Sequence, residues 1–228
     1  MGDETKKHPK CLTVLADGQT ILARQLRHLA GAGVHTVVIT TGLFEKQLRA
    51  QVAALGLPLE VQFVYNPAYA ETNYIYSIYL ARDLVDDDLL LLHGDLVFDN
   101  DVLTALLASP VSAMAVHRDR PLPEKDFKAE IQNGFITRVG VALFENAVAA
   151  QPLYRLTKEA WRVWLNAIEL FVERGETSVY AENAFNTVSD TCKIRPYDVS
   201  GCLCDEIDTP EDWAAINEII IKAKEGAK

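Results

Sequence analysis

Strands alternate with helices over the first 110 residues, and this alternation limits the fold more than any other feature of the sequence. The β-branched run Thr36–Thr41 is typical of a buried strand, and the unbroken leucines Leu89–Leu92 are typical of a parallel strand buried on both faces. Residues 59–65 alternate between apolar and polar side chains, as a third strand would. Helical spacing of apolar residues predicts helices over residues 20–33, 44–55 and 75–84. The pattern predicts an α/β fold with an open, mixed, mostly parallel sheet and helices on both faces.

The second half of the chain has a different pattern of predicted strands and helices. Short strands are predicted over residues 112–117, 127–131, 136–139 and 141–144, with Asn133-Gly134 as a hairpin turn. A strongly amphipathic helix is predicted over residues 157–174. In the last helix, Thr209 can cap the first turn, Pro210 suits the first helical position, and Asp212 can complete a capping box. No linker or repeat interrupts the chain, which predicts one domain over residues 1–228.

The charge balance excludes several classes of partner. The sequence has 22 Lys and Arg residues and 32 Asp and Glu residues, a net charge of −10, which disfavours binding to nucleic acid and anionic membranes.

No apolar run approaches the ~20 residues that span a bilayer, and the polar start of the chain has no signal core, so a cytoplasmic location is predicted. Cys202 and Cys204 are expected to be buried thiols on one face of a strand, and an exposed strand edge there could support a homodimer.

Two aspartates stand where a ligand site is expected. Asp95 follows the Leu89–Leu92 strand, and ligands of open α/β sheets bind beyond the carboxyl ends of the strands. Asp208 lies between an apolar stretch and the capped last helix. If the two carboxylates converge, they form a site of hard oxygen ligands suited to Mg²⁺. The alternative is a turn residue at Asp95 and a helix N-terminal carboxylate at Asp208.

Two further segments could bind phosphate. Lys10 belongs to a basic cluster with Lys6 and Lys7 that could hold phosphates or be a solvated turn. The polar run that includes Thr72 and Asn73 enters a helix whose free amides could bind an anion, or else simply caps that helix. No Gly-x-Ser-x-Gly motif and no recognisable triad points to a protein nucleophile.

Together these segments resemble the sugar-phosphate nucleotidyltransferase superfamily, and most closely its phosphocholine and 2-aminoethylphosphonate cytidylyltransferases. The matching segments follow in the expected order: His8-Pro9-Lys10, residues 65–80 with Glu71-Thr72-Asn73, Gly94-Asp95, Tyr180-Ala181-Glu182-Asn183, and residues 206–212. The resemblance implies a Rossmann-like fold of the nucleotide-diphospho-sugar transferase type. It also implies that residues 1–110 bind the nucleotide, and that residues 111–228 bind the acceptor and include the C-terminal helix.

The resemblance further implies a reaction. A phosphate or phosphonate oxygen attacks the α-phosphorus of CTP and releases pyrophosphate, a chemistry of positioning and charge stabilisation. The resemblance implies that Asp95 and Asp208 bind the Mg²⁺ and that Lys10 neutralises charge on the triphosphate. Nucleotide or acceptor contacts are assigned to Thr72, Asn73, Tyr76 and Ser77. Glu182, with Tyr180 or Trp161, could receive a cationic amine. A sugar-1-phosphate nucleotidyltransferase and a non-catalytic homologue remain as alternatives.

One part of the family pattern is missing from this sequence. Members of the family begin with an apolar strand and a Gly-rich loop that holds the nucleotide phosphates through backbone amides. Residues 1–10 correspond only to the end of that loop, so the first strand is expected to be missing. Catalysis by the chain as written is therefore in doubt, unless an upstream segment supplies the strand.

Overall fold

A computed structural model describes residues 8–226 of the 228-residue chain. Lys6 and Lys7 of the basic cluster lie outside the described residues. The helices, apart from two short 3₁₀ turns, are α1 (Ile21–Gly31), α2 (Glu45–Leu55), α3 (Tyr74–Ala81), α4 (Asn100–Leu107), α5 (Lys158–Glu173), α6 (Ala181–Val188) and α7 (Pro210–Gly226). The strands are β1 (Thr36–Thr41), β2 (Glu60–Tyr65), β3 (Leu89–Leu92), β4 (Leu96–Phe98), β5 (Ala113–His117), β6 (Lys128–Gln132), β7 (Phe135–Gly140), β8 (Ala147–Leu156), β9 (Arg195–Asp198) and β10 (Cys204–Glu206).

The strands form one large mixed sheet and two strand pairs. The large sheet has the order β7-β6-β8-β5-β9, and β3 also pairs with β8. β1 and β2 form a parallel pair, and β4 and β10 an antiparallel pair. The α/β fold with a mixed sheet agrees with the sequence prediction. The expected predominance of parallel pairing is wrong, because only β1–β2 and β5–β9 run parallel among the described ladders.

The organising strand of the large sheet is β8, which the sequence pattern did not predict. It pairs with β3, β5 and β6. Its sequence AVAAQPLYRL contains four small or proline residues in its first six, so its strand propensity is weak and burial decides its conformation. Residues 141–144, predicted as a strand, lie outside the strands. The predicted strand at 141–144 therefore ends a few residues before β8 begins at Ala147.

β1 and β3 differ from the fully buried strands that the sequence predicts. All four leucines of β3 are half-buried, and β1 has exposed residues near both ends. Each strand is paired along one edge only, β1 with β2 and β3 with β8. Among residues 8–226 no strand occupies the second edge of either one.

Local sequence signals in the other elements are confirmed. Asn133 and Gly134 both have positive φ (52° and 79°), as a tight hairpin turn requires, and they connect β6 to β7. Thr157 caps α5 by accepting a hydrogen bond from the Ala160 amide at 3.3 Å.

The prediction that Cys202 and Cys204 share a strand is wrong. Cys204 is buried in β10, whereas Cys202 is half-buried and precedes β10. No helix within residues 8–226 has the length and apolarity needed to cross a bilayer.

Candidate active site

The short β4–β10 ladder brings Asp95 and Asp208 to the same place. β4 follows Asp95 directly, β10 precedes Asp208, and Leu96 is opposite Glu206 in the antiparallel register. One step beyond that pair, the Ile207 amide donates to the Asp95 carbonyl at 3.1 Å. Two segments far apart in sequence therefore meet because of backbone pairing.

A buried glutamine fixes the loop that carries Asp95. Gln25 of α1 is 5% exposed, and its Nε2 donates to the carbonyls of His93 at 2.9 Å and Leu96 at 2.7 Å. These bonds satisfy carbonyls on both sides of Asp95, at the carboxyl end of β3. Asp95 therefore lies beyond the carboxyl end of β3, the position predicted for a ligand site.

Lys10 joins the two aspartates. Its Nζ lies 3.3 Å from Asp95 Oδ2 and forms a close ion pair with Asp208 Oδ1. Burial lowers the pKa of Lys10, but the hydrogen bond to Asp208 and the charges of both aspartates outweigh it, so the net shift is upward. The side chain is 37% exposed, which leaves the ammonium accessible to a ligand. The structure thus brings together the three residues that the resemblance assigns to catalysis.

The segment around Asp208 has the predicted capping box. Asp212 Oδ2 accepts from the amides of Asp208 at 3.1 Å and Thr209 at 2.7 Å, while Thr209 Oγ1 accepts from the Asp212 amide at 3.1 Å. Both carboxylate-bearing residues lie at the N-terminal end of α7, where the helix dipole favours negative charge. Asp208 can therefore be both a carboxylate at the N-terminus of α7 and a residue of the candidate site.

A second group of ligand-type atoms adjoins Asp95. His93, Asp95 and Glu206 each present a ligand atom within 4.8 Å of the others. His93 Nδ1 lies 2.8 Å from Glu206 Oε1. Burial, together with Asp95 and Asp208, raises the pKa of Glu206, although its contact with His93 lowers it. Negative charge is thus concentrated in the place where a cation would be bound.

An aromatic cluster continues from His93 away from the aspartates. Tyr74 lies 4.6 Å from His93 between ring centroids, Tyr180 lies 5.1 Å from Phe127, and Tyr74 and Tyr180 are 6.1 Å apart. Phe127 is buried, whereas Tyr180 is 41% exposed, so the cluster has one face open to solvent. We call these four residues, Tyr74, His93, Phe127 and Tyr180, the aromatic cluster.

Glu182 lies beneath this cluster. It is 1% exposed, and its carboxylate accepts hydrogen bonds from the Tyr154 hydroxyl at 2.7 Å and, closely, from the Tyr74 hydroxyl. Burial raises its pKa to about 8, and no cation is paired with it within the described residues. Tyr180 is part of the cluster, as the resemblance suggests. Trp161 is instead buried in the core, where its Nε1 donates to the Val85 carbonyl at 3.1 Å.

The segment before α3 is held by buried Asn66. Asn66 Nδ2 donates to Thr72 Oγ1 and to Ser77 Oγ, both at 3.1 Å. Asn73 caps α3 through its Oδ1, which accepts from the Tyr74 amide at 2.7 Å, and the Tyr76 ring stacks on Tyr79 at 6.0 Å. Asn73 therefore caps α3, as one of the two alternatives for this segment proposed. Ligand contacts of Thr72, Asn73, Tyr76 and Ser77 stay predictions.

Several residues of the site could not be predicted from the sequence, or were given no role there. Glu206 was inside a recognised segment but was given no role, and Tyr74 was inside the Asn73 segment. Their polar or aromatic side chains next to assigned residues were the available signal. Phe127 and Tyr154 had none, because only the pairing of β6 and β8 brings those parts of the chain to the site.

Comparison with known families identifies the class of protein as a nucleotidyltransferase. Residues 1–183 match the family of MobA-like NTP transferase domains, and the chain belongs to this family. A curated relative, CMP-5'-(3-aminopropyl)phosphonate synthase from Streptomyces rubellomurinus, is 40% identical over 122 residues. That match covers 54% of this chain and 19% of the relative, so the chain matches less than a fifth of the relative's length.

Solved structures support the same fold. The inositol-1-phosphate CTP transferase from T. maritima superposes with a TM-score of 0.75 at 22% identity, covering 96% of this chain and 88% of that one. The CTP:phosphocholine cytidylyltransferase from Streptococcus pneumoniae gives a TM-score of 0.76 at 16% identity, covering 96% and 93%. These matches confirm the fold class that the sequence pattern predicts.

Proposed function

We propose that the protein transfers CMP from CTP to a small aminoalkyl phosphonate or phosphate and releases pyrophosphate. The proposal rests on the ion pairs of Lys10 with Asp95 and Asp208, which lie next to the aromatic cluster. Buried Glu182 contacts that cluster through Tyr74. The first group suits a nucleoside triphosphate with its cation, and the second suits a cationic amine. CTP and the acceptor are then its partners, and the cytoplasm is the proposed location.

The carboxylates fit a divalent cation. Oxygen ligands of Asp95 and Asp208 are those that Mg²⁺ prefers, and the Lys10 ammonium between them indicates that positive charge is accommodated there. In this proposal both aspartates hold Mg²⁺, which when bound stabilises negative charge on phosphate oxygens. Lys10 would then neutralise negative charge on the triphosphate.

The reaction needs no protein nucleophile. An oxygen of the acceptor attacks the α-phosphorus of CTP, a new P–O bond forms, and the bond to the β-phosphate oxygen breaks, so pyrophosphate leaves with that oxygen. The protein's contribution is to align the two anions and to neutralise their charge. Lys10 supplies positive charge in a chain whose net charge of −10 would otherwise repel both substrates.

The aromatic cluster is proposed to bind the amine of the acceptor. The exposed Tyr180 ring and the neighbouring Tyr74 offer π-faces to a cation, and Glu182 lies behind Tyr74 as the counter-charge. Because the pKa of Glu182 is about 8, the carboxyl is mostly protonated at neutral pH without a cation. A bound ammonium would favour its ionised form. The 40% identity over 122 residues to CMP-5'-(3-aminopropyl)phosphonate synthase supports an acceptor of this kind.

Pyrophosphate release with matched acceptors tests the proposal. The chain is assayed with CTP, Mg²⁺ and 2-aminoethylphosphonate, 3-aminopropylphosphonate, phosphocholine or glucose 1-phosphate, both as written and with an added upstream strand. We expect an amino acceptor to be used with kcat/KM about tenfold or more above that of ethylphosphonate, which lacks the amine. Equal use of ethylphosphonate would refute the amine site, and preference for glucose 1-phosphate would favour a sugar-phosphate enzyme.

Matched variants connect this activity to the site. Asp208→Asn should lower kcat/KM for pyrophosphate release roughly 1000-fold, whereas Asp190→Asn, which changes an exposed aspartate, should leave it unchanged. Glu182→Gln should reduce the preference for the amino acceptor, whereas Glu176→Gln, at an exposed position, should not. Unchanged preference in Glu182→Gln would remove Glu182 from the proposed site.

A further inference from the structure

Gln25 is a polar residue on the apolar face of α1. It falls at helical spacing with Leu22, Leu26 and Leu29, which are buried in one core cluster, and it is itself only 5% exposed. A buried amide costs free energy unless its hydrogen bonds are satisfied, so a leucine would serve packing alone better. The reason for an amide at this position therefore lies in the groups that it contacts.

Both hydrogens of the Gln25 amide are used on one short segment. Nε2 donates to the carbonyl oxygens of His93 at 2.9 Å and of Leu96 at 2.7 Å, and the amide group has two hydrogens to give. His93 and Leu96 are the ends of a turn whose own bond, from the Leu96 amide to the His93 carbonyl, is long at 3.4 Å. Gln25 therefore ties the two ends together, and Gly94 and Asp95 are the central residues of the turn. We call it the Asp95 turn.

The ladder between β4 and β10 cannot supply a donor to the Leu96 carbonyl. The Ile207 amide donates to the Asp95 carbonyl at 3.1 Å, so these two residues form a hydrogen-bonded pair. Bonded and non-bonded pairs alternate in an antiparallel ladder, so the next pair, Leu96 with Glu206, is not bonded, and the Leu96 carbonyl points away from β10. Within residues 8–226 no other strand pairs with β4. The Gln25 side chain thus satisfies a carbonyl that backbone pairing leaves free.

α1 is held against β4 independently of Gln25. Arg24 forms an ion pair with Asp99 at 3.4 Å, and Asp99 directly follows β4. The His28 ring lies one turn further along α1, with its centroid 5.7 Å from that of Phe98 at the end of β4. Gln25 therefore contacts the Asp95 turn from a helix whose position is fixed by contacts outside the candidate site.

We propose that Gln25 is a positioning residue that holds the Asp95 carboxylate where it can share a divalent cation with Asp208. This inference rests on the proposed function, from which it takes the cation site. Mg²⁺ binds oxygen ligands at about 2.0–2.1 Å in near-octahedral geometry, so a small shift of one carboxylate weakens binding. Without the Gln25 amide, the carbonyls of His93 and Leu96 lose a donor in a buried place, and the turn rearranges to satisfy them. Gln25 thus acts on the cation through the backbone, without contacting it.

Mn²⁺ binding to the full chain without substrates tests this role directly. Gln25→Met keeps the length of the side chain and removes both donors, and we expect it to weaken Mn²⁺ binding about tenfold or more, measured by electron paramagnetic resonance. Leu29→Ala is the matched control. It creates a cavity on the same face of α1, one turn further along, and should keep the Mn²⁺ affinity within about twofold. Circular dichroism and urea unfolding show whether each variant is folded.

Two further readouts separate a positioning role from a general loss of stability. In metal-free Gln25→Met, hydrogen exchange of the Leu96 amide should speed up about tenfold or more relative to that of Met114 in the core, because the turn opens locally. In pyrophosphate assays, the Mg²⁺ concentration for half-maximal rate should rise about tenfold in Gln25→Met. Leu29→Ala should change neither quantity, because its cavity does not act on the Asp95 turn.

Gln25→Asn is a second variant for the case in which methionine unfolds the chain. It keeps an amide but is one methylene shorter, so it cannot bond to both carbonyls, and it should also weaken Mn²⁺ binding. Wild-type affinity in a folded Gln25 variant, while Asp95→Asn no longer binds the ion, would overturn the positioning role alone. Wild-type affinity in Asp95→Asn would overturn the shared cation site of the proposed function, and the positioning role with it.

Discussion

Replacing Glu182 with glutamine should change how the stability of the protein depends on pH. Glu182 is 1% exposed, and its pKa is raised from 4.5 to about 8, chiefly by burial. Glutamine has nearly the same shape and can still accept a hydrogen bond from the Tyr154 hydroxyl. The substitution therefore removes the titration of this site while it keeps most of the packing.

The sign of the effect follows from proton binding. Between pH 4.5 and 8 the folded state holds a proton on Glu182 that the unfolded chain has released, so unfolding becomes easier as the pH rises. Each pH unit in this window lowers the free energy of unfolding by about 1.4 kcal/mol. Over the whole window the loss is about 5 kcal/mol, on the order of the total stability of many domains.

Urea unfolding of both proteins between pH 4.5 and 8.5 measures this effect. The free energy of unfolding of the wild type should fall relative to that of Glu182→Gln by about 1.4 kcal/mol per pH unit, and the difference should become constant above pH 8. Titrating groups that do not interact with Glu182 are common to both proteins and cancel in the difference, whereas the charge of Glu206, which also raises the pKa of Glu182, belongs to the measured effect. Parallel stability curves would show that Glu182 has an ordinary pKa and would refute the reasoning from burial.

Other substitutions test the site and the core separately. Asp95→Asn and Asp208→Asn should each lower kcat/KM for CTP roughly 1000-fold without changing the circular dichroism spectrum; retained turnover in either would contradict the proposed site. Lys10→Met should raise KM for CTP by about tenfold or more, measured by initial rates of pyrophosphate release. Thr209→Ala should lower the free energy of unfolding by about 1 kcal/mol through loss of its cap. Leu103→Ala, at a position with 0% exposure, should lower it by about 3 kcal/mol in urea titrations.

The periodic elements of the first half were predictable from sequence. α1, α2, β1 and β2 lie within one or two residues of their expected bounds, because apolar spacing and glycine stops act locally. The long strand β8 was not predictable, because its alanines and Pro152 form a strand only when β3, β5 and β6 surround it. Its absence from the sequence prediction also explains why parallel pairing was overestimated.

The candidate site was predictable in the parts that belong to motifs. Asp95, Asp208 and Lys10 were identified from their positions in the sequence, and the resemblance implied their roles. The β4–β10 ladder explains why the two aspartates meet. The aromatic cluster is different, since Phe127 enters it from a loop with no motif. A contact that depends on tertiary pairing leaves no periodic trace in the sequence.

Titration of Mn²⁺ into the protein, followed by the electron paramagnetic resonance signal of the free ion, tests most directly whether Asp95 and Asp208 share one cation. The wild type should bind one Mn²⁺ per chain, and Asp95→Asn and Asp208→Asn should each lose that binding, whereas Asp190→Asn should retain it. Lys10→Met should bind the ion more tightly, because the ammonium that competes for the same carboxylates is gone. Wild-type affinity in either aspartate variant would contradict a shared site.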